Sequence, residues 1–527
     1  MKPIVAVLLL AAFTLLFSSC SDDEGEGFIS PDEDIATFAR VADITIGDEG
    51  AAEIAAFDPL TDQLFVVNNA DDSKIDVIDF STPADMRIIT EISVNSYGGG
   101  VNSVAVSRSY LAAAIEADSK TDNGVVVVFN TTDFSEVARL TVGALPDMVT
   151  FTPDGQYILV ANEGEPSDDY TNDPNGSVSI ISTDDFVTTT VDFTDFNSSE
   201  SVLEGEGFRV TGPSADLAAD AEPEFIAVSA DSRTAFVALQ ENNGLAIIDI
   251  RNKTVTGLKG LGFKDYAAKG IVIDPSDEDD KTELRTVPSG IFGVYMPDAI
   301  DVFSVDGTEY VITANEGDGR EYFYDTDAAP CLLNGGEFDE DDGCLAFTDE
   351  ARLEDVTLDP TSFPDAATLQ NEENFGRLKV ITTAGDTDGD GDYDRLYTYG
   401  ARSFSIWDTQ GNLLFDSGSE VEEEVINAGL YEDGRSDDKG IEPEGVVTGK
   451  VNGKTLAFIG LERVDAVAIY DVSNPENPQF ISILETGDAP EGLVFVDAED
   501  SPNGRSLLIV TCEGDGSVWV YSPALNS

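Results

Sequence analysis

The chain has 527 residues, 103 acidic against 28 basic, no histidine and a formal charge of −75. Nothing in it can neutralise a run of phosphates, which excludes a nucleic-acid partner. Without histidine there is no Ser-His-Asp triad, no histidine-ligated zinc and no phosphohistidine, so acid–base work falls to carboxylates, Lys or Tyr. With 41% hydrophobic residues a sizeable core is available. The acidity runs along the whole length, which describes a folded surface adapted to high salt or one that gathers divalent cations.

The N-terminus reads as a targeting segment. Lys2 is followed by an apolar run, Ile4 to Phe17, too short to span a bilayer in comfort. Phe17-Ser18-Ser19-Cys20 resembles a bacterial lipobox, and Ser21-Asp22-Asp23-Glu24 resembles an acidic surface-export tag. The expectation is a lipoprotein signal peptide over 1–19, lipidation at Cys20 and an acidic tether over 20–38. That would tie the protein to the outer membrane through lipid and display it at the cell surface.

From residue 39 to 525 one motif returns seven times: a turn, often x-Pro-[Asp/Glu], then short apolar strands separated by polar turns. Its first polar position falls at Glu53, Asn102, Asp147, Glu224, Asp298, Glu444 and Glu491. A second closes the next strand at Asn69, Glu116, Glu163, Glu241, Glu316, Glu462 and Glu513. A period of about 40–50 residues marks an all-β, seven-bladed β-propeller. Strands are expected at Gln63–Val67, Val125–Phe129, Thr234–Ala238 and Leu507–Val510 among others, with weaker, polar fourth strands at the outer edge. Blade five is read as Ala299–Val302, Tyr310–Thr313, Leu378–Ile381 and Phe404–Trp407. Long insertions fall near 197–221, 262–293, 320–374 and 418–440, and loops of such length are usually functional or disordered. Cys331 and Cys344 bracket a turn-rich loop and read as a local disulfide; Cys512 reads as a buried thiol.

Because the first strand of a blade leaves one face and the second returns to it, both polar positions belong at the same end of the ring. The expected acidic face is Glu53, Asp147, Glu163, Glu224, Glu241, Asp298, Glu316, Glu444, Glu462, Glu491 and Glu513. Like charges so placed raise each other's pKa unless calcium, water or Arg/Lys joins them. The scarce cations Lys264, Arg320, Arg402, Arg435, Lys439 and Arg463 lie near these motifs, to pair with the ring or to hold an anion. A separate calcium signal is Asp386, Asp388, Asp390, Asp392 and Asp394: oxygen ligands at every second residue with Gly391 at the sixth place. Tyr397 stands where an EF-hand has glutamate, so the loop is not a complete EF-hand.

Ala161-Asn-Glu-Gly-Glu-Pro166, Glu222-Pro-Glu-Phe-Ile-Ala-Val-Ser229, Leu261-Gly-Phe-Lys-Asp265, Ala314-Asn-Glu-Gly-Asp318, Arg402-Ser-Phe-Ser-Ile-Trp-Asp408, Arg435-Ser-Asp-Asp-Lys-Gly440 and Phe458-Ile-Gly-Leu-Glu-Arg463 together resemble the choice-of-anchor I family of exported propellers, over roughly Phe38 to Pro523. The resemblance implies a surface-anchored propeller. The expected function is a calcium-binding propeller that presents its acidic face to an extracellular ligand or matrix component. Because some members are labelled alkaline phosphatase or phytase-like, the resemblance also implies an alternative, a calcium-dependent phosphoesterase using Glu163, Glu316, Lys264, Arg320, Arg402 and Lys439. Members often carry histidine where this chain has Tyr266, so a mechanism needing that group does not carry over.

Overall fold

The computed structural model describes residues 28–526, apart from 71, 214, 280, 334, 335 and 341. The signal segment and Cys20 lie outside the described residues. Seven four-stranded antiparallel sheets are present among those described. The first four run in chain order, beginning at Ala51–Asp58, Val101–Ser107, Pro146–Phe151 and Pro223–Val228. The fifth joins Ile300–Val305, Thr308–Asn315, Ser403–Asp408 and Leu413–Asp416; the sixth begins at Pro443–Val451. The seventh is built from Pro490–Val496, Leu507–Cys512 and Ser517–Leu525, with Glu33–Thr45 as its outermost strand. Each first strand packs against the first strands of its two neighbours, and the cycle closes between Pro490–Val496 and Ala51–Asp58. The protein is a β-propeller.

The strand sequences follow from this packing. Second strands are covered on both faces by adjoining sheets, so they read as continuous apolar runs such as Leu111–Ile115 and Leu507–Val510, all fully buried. Fourth strands form the rim. Arg87–Ser93 is exposed at every residue but Ile92, and its charged side chains discourage pairing with another chain.

Two expectations are corrected. The tether does not reach residue 38. The strand Glu33–Thr45 pairs with Ser517–Leu525, Glu33 opposite Leu525 and Thr45 opposite Ser517. Phe38 is buried edge-on against Phe458 at 5.3 Å. The segment reads as a polar tether because an edge strand buries few side chains. Nor does Leu378–Ile381 belong to the fifth sheet. Lys379–Ile381 pairs instead with Glu350–Arg352, and Ser403–Asp408 follows Thr308–Asn315 directly in the sheet.

The insertions after the fourth sheet and inside the fifth have a core of their own, with Tyr266, Ile291, Leu353, Phe363, Phe375 and Leu396 buried together. Ile291–Val294 and Leu396–Thr398 pair in parallel within it. Cys331 and Cys344 are joined by a disulfide, and Cys512 is a buried free thiol. No described helix is long and apolar enough to cross a membrane.

Candidate functional site at the mouth of the ring

A local backbone device aims the repeated polar residues. In six sheets the register between first and second strands slips at the start, between Ala51 and Ala55, Val101 and Ser103, Pro146 and Val149, Pro223 and Ile226, Pro443 and Val446, and Pro490 and Leu493. Each slip brackets the repeated residue: Glu53, Asn102, Asp147, Glu224, Glu444 or Glu491. A bulge re-aims the side chain it carries, here out of the ladder and towards the channel. Leu145, Met296, Glu442 and Ala489, each just before a proline, have left-handed backbone with φ from 43° to 53°. That conformation costs about 1–3 kcal/mol apiece, and its recurrence at one rim marks where the fold is shaped for something other than stability.

The carboxylates gather as the topology requires. Oxygens of Glu163, Glu222 and Glu241 lie within 4.8 Å of one another, and so do those of Asp298, Glu316 and Glu444. Burial pushes Asp147 up to about 7, with Glu165 and Glu241 adding to the rise. Burial also lifts Glu53 to about 7 against the pull of its hydrogen bond from Asn69, with Glu513 and Asp147 raising it further. Glu462 rises to about 7 from burial and the neighbouring Glu316. Glu163, Glu224, Asp298, Glu444 and Glu491 are pushed well above the carboxylate range, first by burial and then by neighbouring carboxylates, foremost Glu165, Glu241, Glu316 and Glu513. Residues separated by hundreds of positions are thus electrostatic neighbours. The channel between the first strands holds a cavity of about 360 Å³, lined by Asp147, Asp298 and Glu491 of the collar and by Phe57, Met148 and Val494.

Hydrogen bonds satisfy only part of this ring. Asn69 donates to both oxygens of Glu53 at 3.1 and 3.0 Å, and Asn102 donates to the Pro146 carbonyl at 3.2 Å. One carboxylate oxygen each of Glu224, Glu241, Glu444 and Glu491 is buried without a hydrogen-bond partner among the described residues.

The scarce cations are committed to individual carboxylates. Arg320 is almost fully enclosed and bridges Asp220 and Glu222, at 2.5 and 2.7 Å. Lys264 sits 3.0 Å from Asp416 and donates to the carbonyls of Ala401 and Gly418. Arg402 holds Glu422 at 3.2 Å and carbonyls of the insertions. Lys439 touches Glu316 at 2.6 Å, Glu442 at 3.2 Å and Asp318 at 3.5 Å. Arg435 and Arg463 also converge on Glu442. Lys264 and Arg402 therefore anchor the insertions, while Arg320 and Lys439 serve the mouth.

Sequence reasoning passed over Glu222 and Glu442, although the repeated Glu-Pro-Glu at 222–224 and 442–444 carried the signal. In both, the first glutamate is buried and countered by arginine and the second faces the channel with an unpartnered oxygen. Asp220, Glu165 and Gln240 were likewise unread; no repeat marks them.

The Asp386–Asp394 loop is a separate, exposed feature. Asp386 accepts from the backbone N–H groups of Gly389, Asp390 and Gly391, and Asp394 accepts from Thr387. Oxygens of Asp386, Asp388 and Asp394 lie within 4.8 Å, as do those of Asp359, Asp392 and Asp394.

A closed ring of sheets with a collar of carboxylates defines a β-propeller built around an acidic mouth. The choice-of-anchor I domain matches residues 53–475, and the chain belongs to that family. Gigasin-3a of Magallana gigas is 30% identical over 189 residues, which is 29% of this chain and 66% of that protein. The mesenchyme-specific cell surface glycoprotein of Strongylocentrotus purpuratus is 26% identical over 343 residues, 58% of this chain and 43% of that one. The chain thus spans less than two thirds of the length of either curated relative. Among solved structures, hydrazine synthase of Kuenenia stuttgartiensis aligns with a TM-score of 0.46 at 13% identity, over 92% of this chain and 98% of that one. The Cps50 β-propeller domain of Myceliophteria thermophila aligns at 0.46 and 10% identity, over 92% and 100%.

Proposed function

We propose that the protein is a surface-displayed, calcium-binding propeller that presents its acidic mouth to an extracellular ligand or matrix component, anchored through lipid on Cys20. The observation that carries this reading is the collar: carboxylates from all parts of the chain meet at one rim, and four keep a buried oxygen unpartnered. A carboxyl buried in this way must either carry unpaired charge or hold a proton against its ordinary pKa, both of which cost stability, and a hard cation with oxygen ligands relieves that cost. The cell-surface relative supports the location. The Asp386–Asp394 loop offers calcium a second, surface position.

A ligand held only by the folded state raises the unfolding midpoint. Calcium is therefore expected to raise the melting temperature at fixed ionic strength, and a chelator to reverse it. An unmoved midpoint would sink the proposal. The phosphoesterase alternative is disfavoured by the geometry. Lys264, Arg320 and Arg402 are enclosed in ion pairs and Lys439 is shared among three carboxylates, so none is free to steady a phosphate. A chromogenic phosphate monoester is expected to show no turnover with calcium in high salt, and a calcium-dependent rate lost in Glu163→Gln or Glu316→Gln would restore the alternative.

A further inference from the structure

The carboxylate groups on two arcs of the mouth differ in what already counters them. On the arc of the third and fourth sheets, Arg320 contacts Glu222 through one carboxylate oxygen only, from Nε at 3.2 Å and from a terminal nitrogen at 2.7 Å. Glu222, Glu163 and Glu241 bring oxygens within 4.8 Å of each other. Glu241 is only 8% exposed, and its Oε2 has no hydrogen-bond partner among the described residues. Glu224 beside it is 9% exposed and likewise finds no N–H or hydroxyl donor for Oε2 among the described residues, and its carboxyl lies close enough to that of Glu241 for the two to share a proton until an ion replaces it. On the neighbouring arc, Glu316, Glu442 and Glu462 are equally close, and Glu316 also groups with Asp298 and Glu444. There, however, Lys439 lies 2.6 Å from one oxygen of Glu316 and Gln240 donates to the other at 2.8 Å.

We infer that Glu163, Glu222 and Glu241 form a divalent-cation site that prefers calcium, and that the Lys439 ammonium occupies the corresponding place on the neighbouring arc. The assignment rests on the reading of the mouth as a cation receptor. Three carboxylates leave up to five oxygens beside the one that Arg320 holds, and water can complete the six to eight oxygen ligands of calcium; magnesium demands a tighter octahedral shell and fits such a carboxylate-rich site poorly. Arg320 keeps Glu222 oriented and offsets one charge, and the ion displaces the protons that burial favours on Glu163 and Glu241 and binds both as carboxylates. Lysine can take the second place because its ammonium is a compact point charge.

The test titrates calcium into the folded chain carrying Asp388→Asn and Asp394→Asn, which removes a carboxylate from both groups of the surface loop. One ion per chain is expected, with magnesium much weaker. Glu241→Gln and Glu163→Gln should each weaken the isotherm about tenfold or more, whereas Glu316→Gln should not. Lys439→Met should raise the stoichiometry from one ion to two. Should Glu241→Gln fail to fold, Glu163→Gln at its partly exposed position still decides. No binding at all in the loop-silenced chain would sink the reading of the mouth itself. Binding unchanged in both glutamine variants, or lost in Glu316→Gln, would overturn the assignment alone. An unaltered stoichiometry in Lys439→Met would overturn the role given to the lysine, and equal affinity for magnesium the preference for calcium.

Discussion

Arg320 and Glu224 show the two ways a buried charge can stand in this protein. Arg320 is enclosed with Asp220, Glu222 and the Thr211 hydroxyl, and every partner is within hydrogen-bond reach. Such a pair adds little net stability over apolar packing, but removing one member strands the others. Arg320→Met is therefore expected to destabilise the protein by about 3–5 kcal/mol, read from the denaturant midpoint. Glu224 is the opposite case: buried, pushed well above the carboxylate range by burial and by Glu241 and Glu163, and without a partner for Oε2. Glu224→Gln keeps the shape and removes the cost of burying a carboxyl that must be held protonated. In calcium-free buffer at pH 8 it should raise the melting temperature; a fall would show that the carboxylate is already satisfied.

The strand Glu33–Thr45 decides whether the array closes. It is the outer strand of a sheet whose other three strands come from the opposite end of the chain, so unfolding either terminus opens the ring. Its attachment rests on the ladder to Ser517–Leu525, on Arg505 bonding Glu33 at 2.7 Å, and on Phe38 against Phe458. Phe38→Ala should cost about 3–5 kcal/mol, as for other buried aromatic truncations. It should also expose the edge of Ser517–Leu525 to pairing between chains. A denaturant curve with light scattering checks both, and an unchanged midpoint would place closure elsewhere.

For the whole molecule, the collar sets an unusual pH dependence. Glu53, Asp147 and Glu462 have folded-state pKa values of about 7, well above their ordinary values of 4.5 or 3.8. Between about pH 4 and pH 7 the folded state holds protons that the unfolded chain has released, so stability falls as pH rises through that window. The calcium-free protein should resist urea better near pH 5 than near pH 8, the reverse of ordinary acid denaturation, and saturating calcium should flatten the slope. A midpoint that climbs with pH without calcium would contradict the burial of these groups. The net charge of −75 acts in the same direction at longer range, and added salt should stabilise the fold by screening it.

Much of the architecture was legible because a propeller repeats itself. Apolar runs such as Leu111–Ile115 and the recurring x-Pro-[Asp/Glu] turn report local pleat and turn chemistry, which neighbouring residues largely dictate. Glu53 through Glu491 could be read as one class for the same reason. The sequence did not show that 33–45 is a strand, because its partners lie more than 450 residues away. Nor did it separate Leu378–Ile381 from the fifth sheet, since a short apolar run fits many ladders equally well. The pairing of Arg320 with Glu222, and of Lys439 with Glu316, was beyond it too. Which charge a cation meets depends on how distant turns are stacked around the ring, so composition and period set the supply of carboxylates while only closure of the ring determined which of them are left unpartnered.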